Sequence, residues 1–397
     1  MHDTHHICQS ILFICRRDLW LRLLEVNSFL KRDDCHFSGS LFFSFLQFSG
    51  DLNQRSNYSL KQSRVFTWLI VGCVLIVVMV VVGGITRLTQ SGLSMVKWEP
   101  IMGALPPLSE QEWKEAFDQY KQTPEFRVYN SDFSLTSFKS IFFWEYIHRL
   151  FARITGLVFL IPCVVFWFRG YFSKSLKKQV LLIFGIGIFQ GVLGWIMVSS
   201  GLVDQPNVSH YRLAAHLTTA LGLLMYVYWV ALKLKYKVPA SDGNRLFVPL
   251  VIFTSIVFAQ IIFGAFVAGL KAGLMYNTFP KMGGYWIPPD LKYIWARDGV
   301  QSLISTGPFV QLIHRTLAFV ILIVFAVIWH RSKNICLTRA QRLGLKMIGA
   351  AIVVQILLGV LTLLYAVPTT LGATHQFGAI LLLLVATYSI CAVKSTR

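Results

Sequence analysis

From about residue 64 onward the chain carries eight apolar runs. Each is close to the roughly 20 residues that a helix needs to cross the hydrocarbon of a bilayer. They fall near 65–85, 147–168, 179–199, 211–232, 246–268, 310–330, 344–365 and 372–393. The runs are continuous rather than alternating, which selects helices over barrel strands, because in lipid every backbone N–H and C=O needs a partner inside the structure. With 55% of its residues hydrophobic and 14% charged, the chain does not read as a set of water-soluble domains. The expected fold class is all-α and integral to the membrane, with eight transmembrane helices.

A formal charge of +19 would point to nucleic acid in a soluble protein. Here Lys and Arg collect in alternate short loops, at least four in each of 169–178, 233–245 and 331–346, with none in 200–210 or 366–371. That is the positive-inside pattern. It excludes nucleic acid as the partner and makes the lipid bilayer the partner instead. Both termini are expected in the cytoplasm, and the two long loops, 86–146 and 269–309, outside. Of seven cysteines, Cys73, Cys163 and Cys391 lie in apolar runs and behave as small hydrophobes. None lies in an outer loop, so no disulfide framework is expected.

Residues 1–62 read as an unexplained or disordered extension. Arg and apolar residues suit an organelle presequence, whereas Asp3, Asp18, Glu25, Asp33 and Asp34 do not. His2, His5 and His6 offer at most a tag-like metal site. The outer loops look ordered. The first holds Trp98, Pro100, Pro106, Pro107 and a helix-compatible stretch, SEQEWKEAFDQY; the second holds YNTFPKMGGYWIPP, suited to a lid at the lipid–water boundary.

The chain repeats itself. WEYIHRLFARITG around His148 resembles VQLIHRTLAFVI around His314, and AAHLTTALGLL around His216 resembles ATHQFGAILLL around His375. In helices three, five and seven, Gln190, Gln260 and Gln355 each precede a glycine (Gly194, Gly264, Gly359) by four residues. Four helices per half is an even number, so both halves insert the same way up. The expectation is two four-helix bundles, 63–235 and 236–397, related by a pseudo-twofold along the membrane normal.

His148, His216, His314 and His375 are each expected about a turn inside the outer end of an even-numbered helix. The pairs are spaced alike, 68 and 61 residues apart. An ionisable ring in hydrocarbon is costly and marks a functional site by default. Neutral imidazoles from facing helices can take both axial positions of a haem iron. Any one such histidine could instead bond a neighbouring helix; four at one depth, duplicated, point to haem or another metal. The glycines would let helices approach a flat macrocycle, or are small-residue packing. Arg149, Arg212 and Arg315 are candidates for haem propionates, or anchors at the headgroups.

The repeat breaks at one place. Glu145 stands three residues before His148, where Gln311 stands three before His314. Each shares a helix face with its histidine. A carboxyl can exchange protons with a substrate and an amide cannot, so the first half is expected to do chemistry and the second to carry electrons. Glu145 could equally favour the helix N-terminus through the dipole.

At this level the residues resemble the haem A synthase family, over roughly 64–395. The motifs that carry the likeness are GGITRLTQSGLSMVKWEP (83–100), GALPPLSEQEW (103–113), FWEYIHRLFARITG (143–156), GWIMVSSGL (194–202), VSHYRLAAHL (208–217), GAFVAGLKAGLMYNTFPKMGG (264–284), QLIHR (311–315) and THQFGA (374–379). The resemblance implies an enzyme that oxidises the C8 methyl of haem O to a formyl group by successive hydroxylations, for cytochrome oxidase assembly. It implies a haem b cofactor on His314 and His375, the substrate haem on His148 and His216, and Glu145 near the reacting site. No cysteine pair stands in an outer loop, as in the subgroup of α-proteobacteria and mitochondria. The partners implied are haem O and its synthase and an electron donor that the likeness does not name, with homo-oligomerisation open. A bacterial inner membrane is preferred to the mitochondrial one, because residues 1–62 make a poor presequence. The rival readings are a b-type cytochrome that only carries electrons, and a transporter whose histidines bind protons or substrate.

Overall fold

A computed structural model of the chain describes residues 44–96, 105–201, 208–236 and 242–394. Trp98 and Pro100, the N-terminal histidines and acids, and parts of the 83–100, 103–113 and 194–202 motifs lie outside the described residues. The chain divides into two units, 1–58 and 59–397. The described part of the first, residues 44–58, is helical.

Eight long helices follow one another: α1 (Ser44–Leu88), α2 (Leu135–Phe168), α3 (Lys174–Gly201), α4 (His210–Lys235), α5 (Phe247–Gly269), α6 (Gly307–Ser332), α7 (Arg339–Leu364) and α8 (Thr369–Val393). All eight are long and apolar enough to cross a membrane, α1 over Leu60–Leu88. The eight expected spans are therefore present. They run further than the apolar runs did; at α2 and α7 a polar side chain, Ser134 and Thr338 respectively, caps the added turn.

The clearest extension is α2, which starts at Leu135 rather than near 147. The Ser134 side chain accepts from the Ser137 N–H and caps it. Its first turns carry Phe138, Ile141 and Phe142, which are buried against the outer loop rather than lipid. The loop helix Glu110–Lys121 supplies the other side: Tyr120 stacks on Phe138 at 5.2 Å between ring centroids, and Trp113 meets Phe142 edge-on at 5.0 Å. That loop helix is capped by Ser109, which accepts from the Glu112 N–H at 3.2 Å, while Glu112 accepts from the Leu108 N–H at 2.8 Å. A shorter loop helix, Pro124–Tyr129, follows, capped by Thr123.

α1, α4 and α8 are the most enclosed of the eight, and α2, α3 and α7 the least. α4 packs on α3, α5 and α8; α5 packs on α6 and α8; α7 packs on α8. α1 joins α2 through Trp68 Nε1, which donates to the Val158 carbonyl at 3.2 Å, and joins α8 through Gln376 Nε2, which donates to the Val80 carbonyl at 2.8 Å. Leu69, Leu221, Leu224, Leu250, Phe253, Ile348 and Leu383 fill the interior. Leu160, Ile161 and Val164 on α2, Leu181 and Ile188 on α3, and Val353 and Leu357 on α7 face outward. In a bilayer these faces meet lipid, so their exposure costs nothing.

The second outer loop is ordered as expected. Asn277 Nδ2 donates to the Gly273 and Leu363 carbonyls at 2.8 Å each, and the Tyr276 hydroxyl donates to Asp290 Oδ2 at 2.6 Å. Burial and that bond push the Tyr276 phenol up to about 12. Cys73, Cys163, Cys336 and Cys391 are free thiols.

Candidate functional site

Each of the four histidines stands opposite a glycine on a neighbouring helix. A Cβ placed on Gly83 of α1 would lie 3.0 Å from His148 Cε1, and one on Gly194 of α3 would lie 3.1 Å from His216 Cε1. On Gly264 of α5 the distance to His314 Cε1 is 3.2 Å, and on Gly359 of α7 the distance to His375 Cε1 is 2.9 Å. All four are tighter than an ordinary carbon–carbon contact of roughly 3.5–4.0 Å. The glycines of α3, α5 and α7, which in the sequence read as room for a macrocycle or as small-residue packing, lie against imidazole rings. They make the notches in which the rings sit.

Three of the four notches carry a second device. Gln190 Nε2 donates to the His216 carbonyl at 2.9 Å, Gln260 Nε2 to the His314 carbonyl at 2.9 Å, and Gln355 Nε2 to the His375 carbonyl at 2.8 Å. One turn separates each glutamine from its glycine, so one helix face holds both the ring and the backbone of its histidine. Gln355 Nε2 also lies 3.1 Å from His375 Nδ1. In α1 the matching position is Met79, so the His148 notch lacks the amide.

The rings come in two pairs. His148 and His216 are near enough to interact electrostatically, as are His314 and His375. All four residues are half-buried, yet Nδ1 of His148, of His216 and of His314 is sealed from solvent without a hydrogen-bond partner. A buried ring nitrogen without a partner is costly unless something absent from the protein chain satisfies it. Among the described residues no cluster of three or more His, Cys, Asp or Glu side chains is placed to hold a bare metal ion. Paired imidazoles without further ligands suit the two axial positions of haem iron, whose other four ligands come from the porphyrin.

Outside the histidines, both halves tie a loop to the even-numbered helix. In the first half Glu145 is buried, and its Oε2 accepts from the Ser94 N–H at 2.7 Å, the Ser94 hydroxyl at 2.7 Å and the Met95 N–H at 2.9 Å. Its Oε1 pairs with Arg149 Nη2 at 2.6 Å, and that nitrogen also donates to the Met95 carbonyl at 3.0 Å. In the second half Gln311 Nε2 donates to the Tyr276 carbonyl at 3.2 Å; Arg315 donates to the carbonyls of Tyr276 at 2.7 Å and Thr278 at 2.8 Å. Glu145 and Gln311 thus do related work. Each holds the start of its outer loop, with the arginine four residues later as partner. Arg212 is exposed on the first turn of α4 and makes no hydrogen bond or ion pair among the described residues.

The family model for cytochrome oxidase assembly proteins, COX15-CtaA, matches residues 66–387. The chain belongs to the COX15-CtaA family. The Heme A synthase of Nitrosospira multiformis is 43% identical over 327 residues, 81% of this chain and 91% of the relative. The Heme A synthase of Flavobacterium johnsoniae is 43% identical over 336 residues, 83% of this chain and 98% of the relative. Heme A synthase COX15 of Homo sapiens is 41% identical over 326 residues, 80% of this chain and 79% of the relative.

Within this COX15-CtaA chain, two positions near the histidine pairs or their outer loops stand out in the structure but not in the spacing of the sequence. Gly83 escapes notice because α1 has Met79 where the other notches have glutamine. Glu125 looks like an ordinary acid in the first turn of a short helix, PEFRVY, yet it is buried. It accepts from the Tyr120 hydroxyl at 3.4 Å and lies within electrostatic reach of Arg87 and Glu145. Burial first, then the Glu145 charge, push its carboxyl up to about 8. His210 opens α4, and its Nε2 lies 3.0 Å from the Ile304 carbonyl.

Proposed function

We propose that the chain is a haem A synthase, an oxidoreductase that converts the C8 methyl of haem O to a formyl group by successive hydroxylations. The observation that carries this reading is the repeated notch: two pairs of imidazoles, each ring seated on a glycine of the next helix, three of them with a sealed Nδ1 that lacks a partner. Names of relatives at 43% and 41% identity over most of the chain support the same activity.

The first half, residues 63–235, takes haem O between His148 and His216, and the second half, 236–397, takes haem b between His314 and His375. The matched contacts of α3 with α4 and of α7 with α8 support two bundles related by a pseudo-twofold. Haem b, when bound, supplies one-electron redox chemistry at its iron. The chain's own residues do the positioning. The glycine notches fix the plane and height of each ring, and the glutamine amides hold the backbone behind it. Glu145 with Arg149, and Gln311 with Arg315, clasp the outer loops over the two sites and limit the entry of water. Of the three arginines, Arg212 is the one left available for a haem propionate, since Arg149 and Arg315 are turned to loop carbonyls. The protein is multi-pass, in a bacterial inner membrane with both termini in the cytoplasm; the alternative is the mitochondrial inner membrane.

The test is conversion. Purified protein in nanodiscs is supplied with haem O and a reductant under air, and the pigments are extracted and separated. Appearance of haem A supports the reading. Bound haem with haem O recovered unchanged would make the protein a b-type electron carrier, and a colourless protein would favour a transporter.

A further inference from the structure

The first outer loop holds a second buried carboxyl, Glu125, within electrostatic reach of Glu145, and the two carboxyls are held differently. Glu145 already accepts from four groups on its two oxygens, three of them from residues 94–95 and one from Arg149. Its geometry is that of a clamp. Glu125 is buried to a similar degree and, among the described residues, its side chain accepts one hydrogen bond, a long one of 3.4 Å from the Tyr120 hydroxyl. That hydroxyl itself accepts from Asn130 Nδ2 at 2.6 Å.

The charges around Glu125 come from every side of the cluster. Arg87 at the end of α1 attracts it, and Glu145 on α2 repels it. Arg87 is also committed elsewhere, donating to the Gly269 carbonyl at the end of α5 at 3.0 Å. Tyr120 lies within reach of both carboxylates, and Arg149 is bonded to Glu145. Glu145 stands one helical turn before His148 on the same face. Hydrogen bonds link Asn130, Tyr120 and Glu125 within the loop, and Glu145, within electrostatic reach of Glu125, stands one turn from the histidine.

We propose, on the haem A synthase reading, that Glu125 is the proton-exchanging residue of the first-half site and that Glu145 is a positioning residue. The step assigned to Glu125 is a proton transfer alone. An O–H bond forms at its carboxylate oxygen as one breaks on a protonated water on one side, which is left as neutral water; on release that O–H bond breaks as one forms on a water on the other side, and no electron moves. Oxidation of a methyl to a formyl group rearranges C–H and O–H bonds, so protons cross between the site and the outer water during turnover. A group serving that traffic needs to change state near the ambient pH. Glu145 is fixed by four donors, whereas Glu125 accepts one long hydrogen bond and is the freer of the two to change partners. Glu125, held up to about 8, meets the requirement.

The experiment uses the full chain in nanodiscs, with haem O conversion followed from acid to alkaline pH in wild type, Glu125→Gln, Glu125→Asp and Tyr120→Phe. Carboxyl infrared titration is recorded on the same samples. The wild-type kcat should show an inflection near 8. Glu125→Gln should lose that inflection and about 100-fold in kcat, the range of general acid–base contributions. Its haem content and KM should stay unchanged. Glu125→Asp should restore part of the rate, with a displaced inflection. In the infrared, a protonated-carboxyl band should disappear near 8 in the wild type and be missing from Glu125→Gln. If Glu125→Gln holds no haem, Tyr120→Phe decides the matter: a shifted inflection supports the assignment and an unmoved one overturns it. An unchanged profile in haem-replete Glu125→Gln overturns it as well. A wild type that binds haem O without converting it counts against the haem A reading itself, while the infrared band still tests Glu125.

Discussion

Replacing the four notch glycines by alanine, one at a time, tests the reading of the site as a matched set. An added methyl would stand 2.9 Å from the His375 ring at position 359, 3.0 Å from His148 at 83, 3.1 Å from His216 at 194 and 3.2 Å from His314 at 264. Against a relaxed contact of roughly 3.5 Å, each is an overlap of several tenths of an ångström. Either the ring or a whole helix has to move. Overpacking of this kind costs about 1–3 kcal/mol, or roughly 5- to 150-fold in haem affinity when it falls on a ligand. Haem per protein, with the Soret and α-band spectrum, reads the effect. Gly359→Ala and Gly264→Ala should deplete the second-half haem, with the former more severe. Gly83→Ala and Gly194→Ala should leave that haem in place and lower capture of haem O. Four variants with wild-type haem content, or depletion that ignores the division into halves, would refute the notch argument.

Further outcomes follow from the same geometry. Breaking the buried Glu145–Arg149 pair by Arg149→Met leaves a carboxylate unpaired and should cost about 3–5 kcal/mol, read as early thermal unfolding and protease cleavage near residues 94–95. Gln355→Leu removes one amide donor from the His375 carbonyl and should cost about 1 kcal/mol, seen as a small loss of haem b without a change of fold. The Glu125 carboxyl has a raised folded-state value, so the folded loop binds the extra proton. Its contribution to stability is complete below about 4.5, and is lost as pH rises through about 8. Hydrogen exchange of the Pro124–Tyr129 helix should accordingly quicken over that window in the wild type and lose this pH dependence in Glu125→Gln.

The membrane spans were readable because hydrocarbon leaves only helices of a certain length, and the histidines because imidazole in lipid demands a reason. The register of glutamine and glycine was also readable, but not its partner. Gly194, Gly264 and Gly359 admit the edge of an imidazole ring, and only the packing of α3, α5 and α7 on their neighbours reveals that. The outer end of α2 was illegible for a related reason. Phe138, Ile141 and Phe142 are interrupted by polar residues and bury against loop aromatics, so no continuous apolar run announces them. Arg149 and Arg315 read as propionate ligands from their place beside histidine, whereas their guanidinium groups turn to loop carbonyls that sequence spacing cannot locate. Glu125 was invisible for the plainest cause. Burial of a short loop helix is decided by what folds over it.

The most direct measurement is electron paramagnetic resonance of the oxidised protein, loaded with haem and compared with His314→Ala and His216→Ala. Two low-spin signals of bis-imidazole type are expected. His314→Ala should abolish or convert one of them to high spin, and His216→Ala should do so to the other. A single haem signal that survives both substitutions, or high-spin iron throughout the wild type, would contradict the pairing on which the whole account is built.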